Sequence, residues 1–368
     1  MTTASTGSQA PTERRAAPVI GLLTSVGGTL DAFFVEIARR WRESGAVVEP
    51  AAGTPSAEHP SATVLTAVTR SPSPRNHRAM RELREWVREK RIEIVVTNTA
   101  TASALVRLAD VGVPVVYFCH GLHWNGRRAA DLPFRSVERL LLHRTDAVVC
   151  MNSADEAWFA AHAPQTPRLR LLAGVGLDLT TYPRRPRRAW DEGAEPLRLV
   201  WCGEYSERKN PAAMVELAHV LRDRGVDLRV DMLGDGALIG TDAVTSPVDG
   251  LVRHRGRSDV VPWFDRSHVL VQTSRWEGLP RVGLEAIAMG LPAVGFDVKG
   301  VRDLPAVSVA PEGDVDVLAD VVLAVARGRG AELPPPSSLS SEHAADELLD
   351  FLDSVLSGDY RRGRIYAA

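Results

Sequence analysis

An α/β fold of two doubly wound, Rossmann-like lobes with a cleft between them is what this sequence predicts, and three observations carry the prediction. Short apolar runs alternate with amphipathic stretches along nearly the whole chain; the alternation stops at a Pro-, Arg- and Gly-rich segment and then restarts; and glycines cluster where several runs end. Alternating strands and helices imply βαβ crossovers and a mostly parallel sheet, whose ligands sit beyond the carboxyl ends of the strands.

Residues 1–17 are polar, with no apolar core behind a basic start, so they read as a disordered tail rather than a signal peptide, which places the chain in the cytoplasm. The first lobe is expected over 18–180. It opens with the strand PVIGLLTSVGG and a helix over 29–44, apolar at Leu30, Phe33, Phe34, Ile37, Ala38 and Trp41. An Arg/Glu-rich helix over 75–91, the strand IEIVVTN, the helix ATASALVRLADVG and the strand PVVYFCH follow. A helix over 134–143, the strand AVVCMN and the run LRLLAGVGLDL close the lobe. Residues 181–196 form the linker. The series resumes over 197–335 with strands at LRLVWCG, LRVDMLGDG, 251–256, HVLVQTS and PAVGFD, and helices over 211–223, at VPWFDRS and over 281–289. Residues 336–368 hold a last helix, over 341–356, and a basic tail.

The balance of 45% hydrophobic and 24% charged residues over 368 positions is that of a globular protein of about two domains and excludes disorder throughout. No run approaches the roughly 18 apolar residues of a spanning helix. The three cysteines, Cys119, Cys150 and Cys202, are far apart in apolar runs and read as core residues, not a disulfide framework or a zinc site. The net charge of −2 hides a split: residues 1–185 carry 23 Lys and Arg against 17 Asp and Glu, and the rest 21 against 29. Either the first half meets something anionic, or arginines are spread over solvated helices.

The most informative stretch is SRWEGLPRVGLEAIAMGLPAVGFDVKGVRDL, residues 274–304. Glu277 follows a strand, and Glu285 lies in the first turns of the next helix, so both carboxylates can face one cleft and accept hydrogen bonds from a hydroxyl-rich ligand. Gly278, Leu279 and Pro280 lead into a helix start whose free N–H groups suit a phosphate. A turn residue and a helix-start charge are the plainer alternative.

The pattern E-G-L-P-R-V-x-L-E-A-x-A-x-G-x-P resembles the signature of retaining GT-B glycosyltransferases, in particular glycosyltransferase family four, with a likeness running from about residue 18 to 356. The resemblance implies that Glu277 contacts the donor sugar and Glu285 the ribose hydroxyls of the nucleotide. In CGEYSERKN, Gly203 matches the family's loop glycine, but Glu204 stands where an Arg is usual, which shifts the diphosphate to Arg208 and Lys209. LGDG and HRGR, with Gly234 and Arg257, match the loops around the nucleobase. HGxHxxG, with His120 and His123, resembles a subgroup that builds surface polysaccharides (capsule or exopolysaccharide), and implies that His120 lies beside the transferred sugar; His123 is equally well a packed or solvated side chain.

Gly27 and Gly28 end the first strand as a loop must where backbone approaches a phosphate or sugar closely, although their spacing does not make a G-x-G-x-x-G fingerprint. Arg75, Arg78, Arg81, Arg84, Arg88, Lys90 and Arg91, interleaved with Glu82, Glu85 and Glu89, form either a paired, solvated helix or a basic face for anionic lipid. Nucleic acid is disfavoured as a partner, because no aromatic platform accompanies the basic residues. Asp314 and Asp316 spell D-x-D, but the helical run behind them makes Asp314 an N-cap, so no cofactor and no metal are expected.

The expected activity is a metal-independent hexosyl transfer from a UDP-sugar, with retention, to a hydroxyl acceptor such as a lipid-linked saccharide. The rivals are a nucleotide-sugar epimerase of the same fold, and a non-catalytic sugar- or nucleotide-binding protein.

Overall fold

The computed structural model describes residues 18–71, 76–122, 124, 131–245 and 250–358. The N-terminal tail, Arg75, His123 and the basic tail lie outside them. The first lobe contains β1 (Val19–Thr24), α1 (Gly27–Phe33), α2 (Val35–Glu43), β2 (Val47–Ala52), β3 (Thr63–Val64), α3 (Asn76–Glu89), β4 (Ile94–Thr97), α4 (Ala100–Ala109), β5 (Val115–Cys119), α5 (Leu132–Leu141), β6 (Ala147–Cys150), α6 (Ser153–His162) and β7 (Arg168–Arg170). The second contains β8 (Leu197–Cys202), α7 (Pro211–Asp223), β9 (Leu228–Leu233), β10 (Val252–His254), α8 (Val261–Phe264), β11 (Val269–Gln272), α9 (Arg281–Met289), β12 (Ala293–Phe296), β13 (Ser308–Ala310) and α10 (Val315–Ala324). The last helix is α11 (Ser341–Ser357).

The strands form two sheets, ordered β3-β2-β1-β4-β5-β6-β7 and β10-β9-β8-β11-β12-β13, with every pairing parallel. In both sheets the order reverses beside the first strand of the lobe, which opens a crevice at the carboxyl ends. Parallel strands covered by helices on both faces read as unbroken apolar runs, and β4 and β5 are buried at every residue. All three cysteines are buried and free. No described helix is long and apolar enough to cross a membrane.

Three local expectations change. The helix over 29–44 breaks at Phe34, whose backbone (φ −121°, ψ 4°) leaves the helical region and separates α1 from α2. LRLLAGVGLDL contributes only Leu169 and Arg170 to a strand, β7, because Gly174 and Gly176 adopt positive φ and turn the chain. The edge strands β3 and β13, two and three residues long, are too short for a periodic signal.

The lobes are tied by α11, which returns to the first lobe. The Trp41 indole donates to the Ala345 carbonyl at 2.9 Å, and the Arg40 guanidinium grips both Asp346 oxygens at 2.8 Å. One apolar cluster runs from Ile20 and Phe118 through Leu177 and Leu279 to Leu348, so the core is continuous between the lobes.

Candidate functional site

Glu277 sits in the loop between β11 and α9 and is almost fully buried. Its Oε1 lies 2.6 Å from Lys209 Nζ and accepts from the Ser274 hydroxyl at 2.7 Å, while Oε2 accepts from Arg208 at 2.5 Å. The two cations come from the loop between β8 and α7. That loop is moored to the end of β11: the Arg275 N–H donates to the Arg208 carbonyl at 2.8 Å, and the Thr273 hydroxyl reaches the Lys209 and Asn210 carbonyls. Lys209 is largely buried and Arg208 about a third exposed, so the pair spans from the cleft wall to solvent. Gly203 packs against this loop, since a Cβ there would meet the Trp201 ring at 3.2 Å and the Lys209 stem at 3.3 Å.

Across the cleft the two lobes touch at backbone level. A Cβ on Gly278 would lie 2.0 Å from the His120 carbonyl oxygen, and one on Gly121, whose φ is +126°, would lie 2.9 Å from the Gly278 Cα. Only glycines allow this approach. Two side chains sew the seam: Asn152 donates to the Gly278 carbonyl at 3.0 Å, and Lys299 Nζ lies 2.5 Å from Asp155 and donates to the Leu122 carbonyl at 2.9 Å. The Ser153 N–H adds a bond to Asp303 at 2.8 Å. Beside the seam opens a cavity of about 310 Å³, with Trp124, Trp158, Trp276, Arg135 and Arg302 in its wall.

The His120 ring is packed 4.6 Å from both the Phe33 and Phe118 rings, and burial pushes its pKa down to about 4, so it is neutral near pH 7. Its Nε2 faces Asn98 Nδ2 at 3.2 Å, whereas His120 Nδ1 and Asn98 Oδ1 are buried without any protein partner. An unsatisfied pair of this kind suits a ligand hydroxyl, which can both donate and accept.

Glu285 is also buried; its Oε1 accepts from the Tyr182 hydroxyl at 2.9 Å and from Arg281 at 3.1 Å. Burial and the adjacent carboxylate raise the Tyr182 pKa to about 12, so the phenol stays a donor. Burial, with Glu285 as the next contributor, also raises the Cys202 thiol, and nearby Lys209 opposes the rise, so Glu285 and Lys209 both stand near the β8 end. Pro280 is the N-cap residue of α9, and Leu279 is buried in the interlobe core.

The remaining expected residues divide. Gly234 has φ +130° and presses within reach of the Gly203 carbonyl, where a Cβ would come to 1.8 Å, so it sets the two loops after β8 and β9 against each other by close backbone approach. Arg257 is exposed behind Gly256. Gly27 is required by the chain itself, since a Cβ would sit 1.9 Å from the Pro55 carbonyl oxygen, whereas Gly28 faces open space. Asp314 caps α10, accepting from the Val317 N–H at 3.0 Å, and Asp316 pairs with Arg224 at 2.8 Å. In α3, Arg78 bonds Glu82, Arg81 lies 3.8 Å from Glu85, and Arg84 bonds the Ala109 carbonyl. Sequence reasoning missed Tyr182, inside the linker, and the Asn152, Asp155 and Lys299 seam. Lys299 lay within the informative stretch, but nothing local marks its partner 144 positions away.

Residues 28–174 match the Glycosyl transferase 4-like domain and residues 196–327 the Glycosyl transferases group 1 family, together about three-quarters of the chain. The chain belongs to the GT-B glycosyltransferases. Within this family, the putative glycosyltransferase EpsD of Bacillus subtilis (strain 168) is 27% identical over 258 residues, 64% of this chain and 67% of EpsD. The UDP-Gal:alpha-D-GlcNAc-diphosphoundecaprenol alpha-1,3-galactosyltransferase of Escherichia coli is 24% identical over 236 residues, 59% of this chain and 61% of the enzyme. The chain thus spans about three-fifths to two-thirds of these relatives. Among solved structures, Anabaena Alr3699/HepE in complex with UDP and glucose superposes with a TM-score of 0.66 at 15% identity, over 91% of this chain and all of that one, a likeness of fold.

Proposed function

We propose that this chain is a retaining glycosyltransferase that moves a sugar from a nucleotide-diphosphate donor, a UDP-sugar, to a hydroxyl acceptor carried on lipid in surface-polysaccharide synthesis. The observation that carries the reading is Glu277 clamped between Arg208 and Lys209 at a strand end, directly under the His120–Gly121 backbone of the other lobe. The sugar nucleotide is supported by that chemistry and by the relative that uses UDP-galactose; the lipid acceptor is supported by the same relative's diphosphoundecaprenol substrate.

An entering diphosphate competes with Glu277 for the two cations. Lys209 and Arg208 then neutralise the leaving group as its charge grows, and Glu277 is released to accept hydrogen bonds from sugar hydroxyls. Glu285, already accepting from two donors, takes the ribose diol with its remaining acceptor capacity. His120, neutral and with Nδ1 unpaired, meets a hydroxyl of the transferred sugar together with Asn98. With Glu277 occupied by hydroxyls, a front-face transfer follows in which the departing phosphate takes the acceptor proton. The seam at Gly278 excludes water and limits donor hydrolysis. The leaving-group charge is met by side chains, so the reaction needs no metal.

The test is UDP release and product mass from a panel of UDP-sugars, with lipid-diphosphate saccharides as acceptors and excess EDTA present. Acceptor-dependent release of UDP with an α-linked product supports the proposal. Conversion of donor alone into a different free nucleotide sugar indicates the epimerase instead, and loss of turnover in EDTA removes the metal-free step.

A further inference from the structure

Helix α5 carries an exposed apolar face that the transfer site does not use. Leu132, Phe134, Val137 and Leu140 are 57%, 63%, 53% and 68% exposed, four of the most exposed large apolar side chains of the described residues within ten positions of one helix. The opposite face packs normally: Leu141 is buried, and Glu138 turns inward to the Arg107 guanidinium, with contacts at 2.6 and 3.1 Å. An apolar face this concentrated on a surface helix marks an interaction site.

The charges around it have one dominant sign. Arg139, His143 and Arg144 are exposed along the helix and the turn that follows, and Arg135 is partly buried at the cavity wall. Of the nearby carboxylates, Glu138 is buried against Arg107, Asp110 stands 3.8 Å from Arg144, and Asp131 is partly buried at the helix start. Flanking cations disfavour a second copy, because a two-fold interface through α5 would set the same arginines against each other. Apolar side chains bordered by cations fit the headgroup level of an anionic bilayer.

From this juxtaposition we infer that α5 docks the first lobe on an anionic lipid surface, with Phe134, Val137 and Leu140 inserted among the acyl chains and Arg139 and Arg144 at the headgroups. Arg135 belongs both to α5 and to the wall of the interlobe cavity, so docking here brings the cavity mouth to headgroup level. The basic helix α3 carries none of the exposed large apolar side chains of the described residues and takes no part.

The experiment is flotation of the full-length protein with vesicles of phosphatidylcholine alone or mixed with phosphatidylglycerol, without sugar nucleotide, so its outcome is independent of the transfer reaction. The wild type floats with the anionic vesicles, and high salt releases it. F134S/V137S/L140S lowers the bound fraction by about fivefold or more, R139E/R144E does the same by charge, and R78Q/R81Q/R88Q leaves it unchanged. The circular dichroism spectrum and the urea unfolding midpoint stay at the wild-type values in all three variants, which certifies their fold. A wild type that fails to float, α5 variants that float like it, or a dimer in light scattering that the triple α5 variant converts to monomer would each overturn the inference.

Discussion

Gly278→Ala is the smallest change that separates the two lobes without touching a charge. The added methyl would sit 2.0 Å from the His120 carbonyl oxygen, where ordinary contact begins at 3.4 Å, so the loops have to part by about 1.4 Å. Both neighbours are backbone, and no flexible side chain can swing away. A shift of that size stretches the Asn152 bond to the Gly278 carbonyl from 3.0 Å, and the Lys299 bond to the Leu122 carbonyl from 2.9 Å, beyond hydrogen-bonding distance. Together these are worth on the order of 2–4 kcal/mol, one being charge-assisted. The groups proposed to hold the nucleotide, Lys209 and Glu285, belong to the second lobe and stay in place. UDP affinity measured by calorimetry is therefore expected to change less than threefold, whereas kcat/KM falls on the order of a hundredfold, the cost of about 1 Å of misplacement at a reacting centre. A rise in the radius of gyration by small-angle scattering would accompany the loss. Unchanged turnover, or a fall in UDP affinity as large as the fall in rate, would refute the idea that the glycine pair sets closure.

Other expectations follow from single contacts. Lys209→Ala should reduce kcat/KM by on the order of a hundredfold with the circular dichroism spectrum intact, because its attraction grows with charge on the leaving group; wild-type rates in the mutant would exclude that role. His120 has a pKa lowered to about 4 in the fold, so the unfolded chain binds its proton first. Stability should then fall as pH drops from about 6.5 to 4, by about 3 kcal/mol more in the wild type than in His120→Gln, measured by urea unfolding at each pH. Parallel curves for the two proteins would count against a buried neutral ring. Arg107→Met strands the buried Glu138 and should cost about 3–5 kcal/mol in urea unfolding, with Arg107→Met/Glu138→Leu recovering most of it; equal instability of the two variants would show that packing, not the orphaned charge, sets the loss.

The sequence alone determined the alternation of strands and helices, the two lobes, and the residues of α9 and its preceding loop. These features rest on local signals: β4 and β5 are unbroken apolar runs because both faces are covered, and Glu277 and Glu285 are eight positions apart on a strand-loop-helix unit. The resemblance carried by that unit pointed to Lys209, Arg208 and His120 as its companions. Only the tertiary structure decided what these residues touch. Tyr182 reaches Glu285 across 103 positions, Lys299 reaches Asp155 across 144, and α11 crosses the molecule to bind Trp41. It also paired Arg78 and Arg84 of α3 and left the apolar face of α5 bare, where composition had drawn attention to the more basic helix. The physical reason is that propensity and periodicity act over a few residues, while these contacts exist only once two independently formed sheets have been set against each other. There the outcome depends on steric fit, such as the absence of a Cβ at Gly121 and Gly278, which leaves no trace in any local pattern.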